Sequence, residues 1–563
     1  MKGWTPLERS NTKQKQSFLG GAAVLALATA VVKVIGAIYK IPLKQILGDD
    51  GFAYFGTAYE ILAVLLMISI TGLPAAMSRM ISEARTLGQT KQILQIYRVS
   101  RTLFLTFGVV GSLGMALICR WLAALMHMEQ SWFAILCMSP AVLFIGLLAV
   151  ERGYFQGQSN MVPTSVSQVL EAVCKLVIGL GLAWAFLRVQ KNNGLLTSLP
   201  RGSAEAVALT DAHAKAAGLA ILGVTLGSAV AWIYMIWQHR KAVAGMREAC
   251  RDETVFSAKD TARKLLAIAV PITLGAAGLQ IITTIDSGVY MARLKGPAGV
   301  PEQLADDYKG IYFFAQTIFN LPMAFIGPLA ISAIPAITEQ LTLHRGRQAN
   351  TIAESAVRIM SLIAMPCSVG LMVLSEPIMQ LLGGYTAENY LGIASNLMRI
   401  LAACVFFNAS VLVMNAILQA GGHAFLPVIH MVAGGIVKLI ISFVLVANPN
   451  IHIIGVPIGT AVCFALIAFL DYVAIRRVLP NPPRLMENVV KPILASLAMG
   501  AVTFVLNSLC ETLRLSLLLR TGLSILGAAV AYAVLVVALR IVTRDDCSLL
   551  PKGDKIAKLL RIR

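Results

Sequence analysis

The chain has 563 residues, of which 57% are hydrophobic and only 13% charged, and its formal net charge is +19. Mean hydropathy is +0.75. Soluble domains carry about 25% charged residues, so this composition excludes a soluble globular protein and points to a chain that crosses a bilayer many times. The N-terminal stretch MKGWTPLERSNTKQKQ is polar and leads into a long apolar span without a small-residue cleavage site, so no cleavable signal is expected.

A spanning helix needs about 20 mostly apolar residues. That length predicts about fourteen helices, at 18–42, 52–81, 99–124, 130–154, 163–188, 215–238, 264–292, 309–338, 352–375, 391–418, 425–447, 453–475, 488–510 and 517–542. The predicted fold class is an all-α polytopic membrane protein. Residues 1–17 read as a cytoplasmic tail, 18–242 as a first lobe of six helices and 243–263 as a cytoplasmic linker. Residues 264–480 read as a second six-helix lobe, 481–543 as two further helices and 544–563 as a basic cytoplasmic tail.

Most Lys and Arg fall in alternate connections: Arg79 to Arg101, Arg240 to Lys264, Arg345 to Arg358 and Arg476 to Lys491. This is the positive-inside asymmetry, and it places both termini in the cytoplasm of a plasma-membrane protein. The basic excess is thus a topological signal and an attraction to anionic lipids. Nucleic acid is not an expected partner. The connection at about 189–214 is polar and reads as the longest outward loop. IRRVLPNPPR separates the last two helices, and DKIAKLLRIR is either an amphipathic membrane-surface helix or a solvated tail.

Residues 154–178 and 417–441 align without gaps, placing Gln156 on Gln419, Val169 on Val432, Lys175 on Lys438, Leu176 on Leu439 and Ile178 on Ile441. The second copy lies six spans later. An even number of spans keeps the orientation, so the lobes are expected to be parallel repeats about an axis along the membrane normal.

Ionisable groups inside spans are expensive and mark function by default. Lys33 lies past the middle of the first span and Lys40 follows on nearly the same face; Arg79 closes the second span, and Asp286 lies deep in the seventh. Glu171 and Lys175 have the favoured i, i+4 order for a self-neutralising pair. Lys438, the repeat-mate of Lys175, has Gly434 where that acid would stand, and so requires another partner, water or a ligand. Lys40 and Arg79 could equally snorkel to the interfaces. Cationic groups lining a cavity suit a phosphate-bearing substrate. An inside-negative potential favours moving an anion outward by about 2.3 kcal/mol per charge per 100 mV.

Mid-span breakers occur in ITGLPAAMSR, AVPITLGAAG and FNLPMAFIGPLAISAIP, where kinks are tolerated if neighbours or a cavity satisfy the backbone. The nine cysteines have no metal-ligand spacing and read as small buried hydrophobes. There is no GxxxxGK[ST], HExxH or GxSxG, so neither an enzyme nor a cofactor is expected.

The runs LERSNTKQKQSFLGGAAVLALATAVVKVIGAIYKIPLKQILGDDGFAYFGTAYEI, GLPAAMSRMISEAR and RGYFQGQSNMVPTSVSQVLEAVCKL resemble the stage V sporulation protein B and polysaccharide-biosynthesis protein family. That family belongs to the multidrug/oligosaccharidyl-lipid/polysaccharide exporter superfamily. The resemblance implies a two-lobed, V-shaped transporter whose cavity opens to either side in turn. It implies a flippase for an undecaprenyl-pyrophosphate-linked saccharide, lipid II being the expected substrate, in peptidoglycan or spore-cortex synthesis. Membrane lipids and the cell-wall synthesis machinery are the other partners it implies. It assigns headgroup binding to first-span cations, here Lys33 and Lys40. Relatives often carry arginine where this chain has Lys33, so charge is kept but bidentate geometry is not. The last two helices are expected to form a groove for the lipid tail. Arg79 joins the two lysines as a pyrophosphate candidate, and Asp286, Glu171, Lys175 and Lys438 complete the candidate site. Alternatives are a flippase for another lipid-linked oligosaccharide, a cation-coupled drug exporter, an intramembrane glycosyltransferase or polymerase, and a non-transporting scaffold for wall assembly.

Overall fold

Long apolar stretches bury their backbone polar groups only by closing every hydrogen bond internally, and helices account for nearly all of the structure. The computed structural model describes residues 6–67, 72–192, 204–244, 256–478, 483–484 and 486–541. Seventeen α-helices occur among them. They are α1 (Pro6–Met67), α2 (Leu73–Thr86), α3 (Thr90–Leu125), α4 (Trp132–Gly157), α5 (Val162–Cys174), α6 (Leu180–Asn192), α7 (Ala204–Ala244), α8 (Ala258–Lys295) and α9 (Glu302–Phe319). The rest are α10 (Met323–Thr342), α11 (Gly346–Val373), α12 (Ser375–Gly383), α13 (Leu391–Ala420), α14 (Phe425–Leu445), α15 (Gly455–Val478), α16 (Glu487–Thr512) and α17 (Leu517–Ala538). No strand occurs among the described residues.

Among the described residues, eleven helical segments are long and apolar enough to cross a membrane. They cover expected spans three to six and eight to fourteen. Spans one, two and seven are not among them, although their described residues are helical, within α1, α2 and α8. The first two expected spans run together in α1, which kinks at Gly48 (φ 72°), a left-handed conformation that glycine adopts without steric cost. The eighth expected span begins in α9, which ends at Phe319, and continues as α10 after Pro322. Two other expectations change. Pro6–Ser17, expected as a tail, is helical. The loop expected at 189–214 is helical at both ends, and His213 ties α7 to Asp50 at 2.8 Å. Residues 193–203, 245–255, 479–482 and the basic tail 544–563 lie outside the described residues.

The chain divides into two compact units, Met1–Gly288 and Val289–Arg563. In the first, α4 is central and packs on α2, α3 and α7, while α5 packs on α1 and α7. In the second, α13 is central against α9, α10, α11 and α15, and α14 packs on α15. Small residues set these approaches. A Cβ at Gly227 of α7 would meet the Glu171 carbonyl at 2.9 Å and the Lys175 nitrogen at 3.3 Å; one at Gly459 of α15 would meet Ser442 Oγ at 3.1 Å and the Lys438 carbonyl at 3.3 Å. Each repeat lysine therefore sits at a close approach of a neighbouring helix, as small-residue contacts allow in membranes. The last two helices join the second unit through α16 on α11, where Arg358 donates twice to Asn488 Oδ1, at 3.0 and 2.7 Å. The seven described cysteines are free thiols.

Candidate functional site

In the first unit, α1 contributes Tyr39, Lys40, Tyr59 and Glu60, and the α5–α6 rod contributes Glu171 and Lys175. That rod is not uniform: Lys175–Gly179 forms one π-helical turn between α5 and α6. Such turns insert a residue, re-aim side chains and recur at functional sites. Lys175 opens this turn. Its Nζ lies 5.2 Å from the Tyr59 ring centroid and 5.5 Å from that of Tyr39. Lys40 Nζ lies 4.8 Å from the same Tyr59 ring. Two ammonium groups thus approach one aromatic ring, an arrangement that cation–π attraction supports and mutual repulsion opposes. Tyr39 is fully buried and its hydroxyl donates to the Ala220 carbonyl at 3.4 Å. Phe55 stacks on Tyr59 with centroids 5.7 Å apart. The aromatic platform is therefore held by its neighbours.

Glu171 does not neutralise Lys175, as the i, i+4 spacing suggested. Arg152 of α4 donates from Nη2 to Glu171 Oε2 at 2.9 Å and from Nε to Ser167 Oγ at 3.0 Å, and Ser228 of α7 donates to Glu171 Oε1 at 3.0 Å. A tertiary partner with a planar guanidinium outcompetes a flexible lysine one turn away. No carboxylate among the described residues forms an ion pair with Lys175.

The other candidates differ in burial. Lys33 of α1 and Arg79 of α2 are exposed. Asp286 of α8 is buried, two residues after Thr284, whose hydroxyl contacts the Glu60 carbonyl at 3.4 Å. Lys438 is buried in α14 of the second unit, where it is engaged rather than free. Arg152, Tyr39 and Tyr59 were not identified from sequence. Arg152 stands in the RGYFQGQ run, and its place one helix before Glu171 was the available signal.

The second unit holds an apolar groove of about 530 Å³ bordered by α9, α10, α11, α16 and α17. Phe325, Pro366, Leu371, Met499, Ile525 and Ala528 are among its lining residues. Tyr532, also in its wall, donates to the Leu362 carbonyl at 3.0 Å, leaving little unsatisfied polarity. A groove this apolar accepts a hydrocarbon chain. It includes α16 and α17, where a lipid-tail groove was expected.

Comparison with known proteins places these features. Residues 18–340 match the model of the family "Polysaccharide biosynthesis protein". Three proteins of Bacillus subtilis (strain 168) are similar over most of their length. The uncharacterized membrane protein YabM is 27% identical, with 96% of each chain covered. Stage V sporulation protein B is 22% identical, covering 95% of this chain and 98% of its own. Lipid II flippase MurJ is 23% identical, with 82% of each covered. Among solved structures, a lipid II flippase MurJ in an inward closed conformation superimposes with a TM-score of 0.66 at 14% identity, covering 92% of this chain and 98% of its own. An inward-facing MATE family transporter of the MOP superfamily gives 0.63 at 14% identity, covering 83% and 98%. The fold is that of the MOP superfamily, the molecule is a multi-pass membrane protein, and the chain belongs to the polysaccharide biosynthesis protein family.

Proposed function

We propose that the protein is a flippase that carries an undecaprenyl-pyrophosphate-linked cell-wall precursor, lipid II, from the inner to the outer leaflet of the plasma membrane by alternating access. The observation that carries this reading is the convergence of Lys40 and Lys175 on Tyr59, with the neighbouring acid Glu171 already engaged by Arg152. A site with two ammonium groups and no carboxylate partner for one of them favours an anion. A diphosphate placed beside them would relieve their repulsion and accept hydrogen bonds from both.

The apolar groove in the second unit supports the same reading, because a polyprenyl chain needs an apolar surface while its headgroup crosses. Stage V sporulation protein B and lipid II flippase MurJ, both similar along most of their length, support the substrate class and the cell-wall setting. Lys33 and Arg79, being exposed, serve as first contacts for the headgroup in this scheme. Asp286 and Lys438 are buried charges, each already engaged. Cation-coupled drug export is the weaker reading, since Glu171 is neutralised by Arg152 and Glu60 stands against the charge of Lys40.

The test is a leaflet-translocation assay with purified protein in vesicles containing fluorescent lipid II. Translocation above that of protein-free vesicles is expected. Its absence from folded protein refutes the reading.

A further inference from the structure

The first unit carries a second basic site that the proposed transport does not use. Between α3 and α7 lies a cavity of about 670 Å³, lined by Arg98, Arg101 and Arg240 at its rim and by Tyr97 and His239 at its floor. All three arginines are exposed, and none forms an ion pair among the described residues. The floor is built rather than incidental. His239 is nine-tenths buried, stacked on Tyr97 with centroids 3.9 Å apart and set edge-on to Tyr154 at 4.4 Å. Tyr97 donates to Glu151 Oε1 at 2.6 Å. Glu151 Oε2 and His239 Nδ1 stand 3.5 Å apart, and neither atom has a hydrogen-bond partner among the described residues.

The cavity continues into apolar surface. From Arg98 and Thr102, the same face of α3 runs through exposed Leu105, Val109, Leu113 and Leu117 at helical spacing. On α7, exposed Trp237 lies under Lys241, whose Nζ is 3.4 Å from the ring centroid. A Trp–Lys pair of this kind marks the level of lipid headgroups. Three exposed guanidinium groups, of which Arg101 also acts on the buried Glu151, match the oxygens of a phosphate, and the apolar face beyond them matches acyl or prenyl chains.

We propose that this pocket binds the phosphate group of a membrane lipid, with the lipid's chains lying along α3. The phosphate belongs either to an anionic glycerophospholipid or to a lipid-linked diphosphate, and competition separates the two sources.

The test is photolabelling of the full-length protein in phosphatidylcholine nanodiscs. The probe is phosphatidylglycerol carrying a photoreactive group next to its headgroup, and the labelled peptides are mapped by mass spectrometry. Label is expected on the segments 94–105 and 239–243. Single substitutions Arg98→Gln, Arg101→Gln or Arg240→Gln are expected to weaken it about fivefold each, and the triple substitution roughly a hundredfold. Arg98 and Arg240 form no ion pair among the described residues, so their variants are expected to keep the wild-type Tm, whereas Arg101 acts on buried Glu151 and its variants are compared at matched folding. The wild-type map stands independently of them. Competition by unlabelled phosphatidylglycerol alone assigns a bilayer phospholipid. Stronger competition by undecaprenyl diphosphate assigns the lipid-linked source. Label outside these segments, label unchanged in a folded triple variant, or equal competition by inorganic phosphate overturns the proposal.

Discussion

Arg152 reaches from α4 to hold Glu171 at 2.9 Å, and that bond sets the charge of the site. Glu171 and Lys175 are one turn apart on the same rod, yet they face different partners. The acid is taken up by a guanidinium and the hydroxyl of Ser228, and the ammonium is left over the rings of Tyr39 and Tyr59.

Removing the guanidinium should therefore be costly. Both side chains are largely buried, at 7% and 20% exposure. Breaking such a pair from one side costs about 3–5 kcal/mol when burial is complete, and somewhat less here. Arg152→Ala is expected to lower the Tm of the detergent-solubilised protein clearly. Adding Glu171→Gln to it should restore part of the loss. An unchanged Tm in the single variant would show that the bond does not hold the helices.

The lysines should behave in the opposite way. Lys175→Ala removes a charge without leaving a carboxylate unpaired, so Tm should hold while lipid II translocation falls at least tenfold. Tyr59→Leu removes the shared ring, a contribution of about 0.5–2 kcal/mol per cation, and should weaken substrate binding while keeping the fold.

The close approach at Gly227 makes a packing prediction. A leucine there must displace the Glu171 carbonyl and the Lys175 backbone, so Gly227→Leu should part α5 from α7 and destabilise the protein by about 1–3 kcal/mol or more. The equivalent Gly459→Leu should do the same to α14 and α15 in the second unit. Thermal unfolding in detergent measures both, and wild-type Tm values would contradict the helix packing described.

Filling the apolar groove separates tail from headgroup. Ala528→Trp places an indole among Ile525, Met499 and Phe325. It is expected to slow translocation of lipid II with a full undecaprenyl chain more than that of an analogue with a short prenyl chain. Equal slowing of both would detach the groove from the lipid tail.

The membrane class and most spans were legible because bilayer thickness imposes a length on every crossing helix. Lys175 and Lys438 could be paired from sequence because the repeat keeps their positions. What could not be read was tertiary. Glu171 satisfies the i, i+4 rule with Lys175, but Arg152, nineteen residues earlier, wins through a fork geometry that only the packing of α4 on α5 brings into reach. Tyr39 and Tyr59 looked like ordinary apolar-span aromatics, since nothing in their spacing shows that two cations meet over one ring. His239 read as one of seven scattered histidines; its stack on Tyr97 and its approach to Glu151 arise from three separate helices. The π turn at Lys175 has no sequence signature that the periodicity of an apolar run displays.

The most direct test is the initial rate of fluorescent lipid II translocation in vesicles, wild type against the Lys40→Ala/Lys175→Ala double variant at matched protein content and matched Tm. Translocation by the wild type and a loss of at least tenfold in the double variant are expected. A double variant that moves lipid II at the wild-type rate would contradict the assignment of these two lysines to the diphosphate.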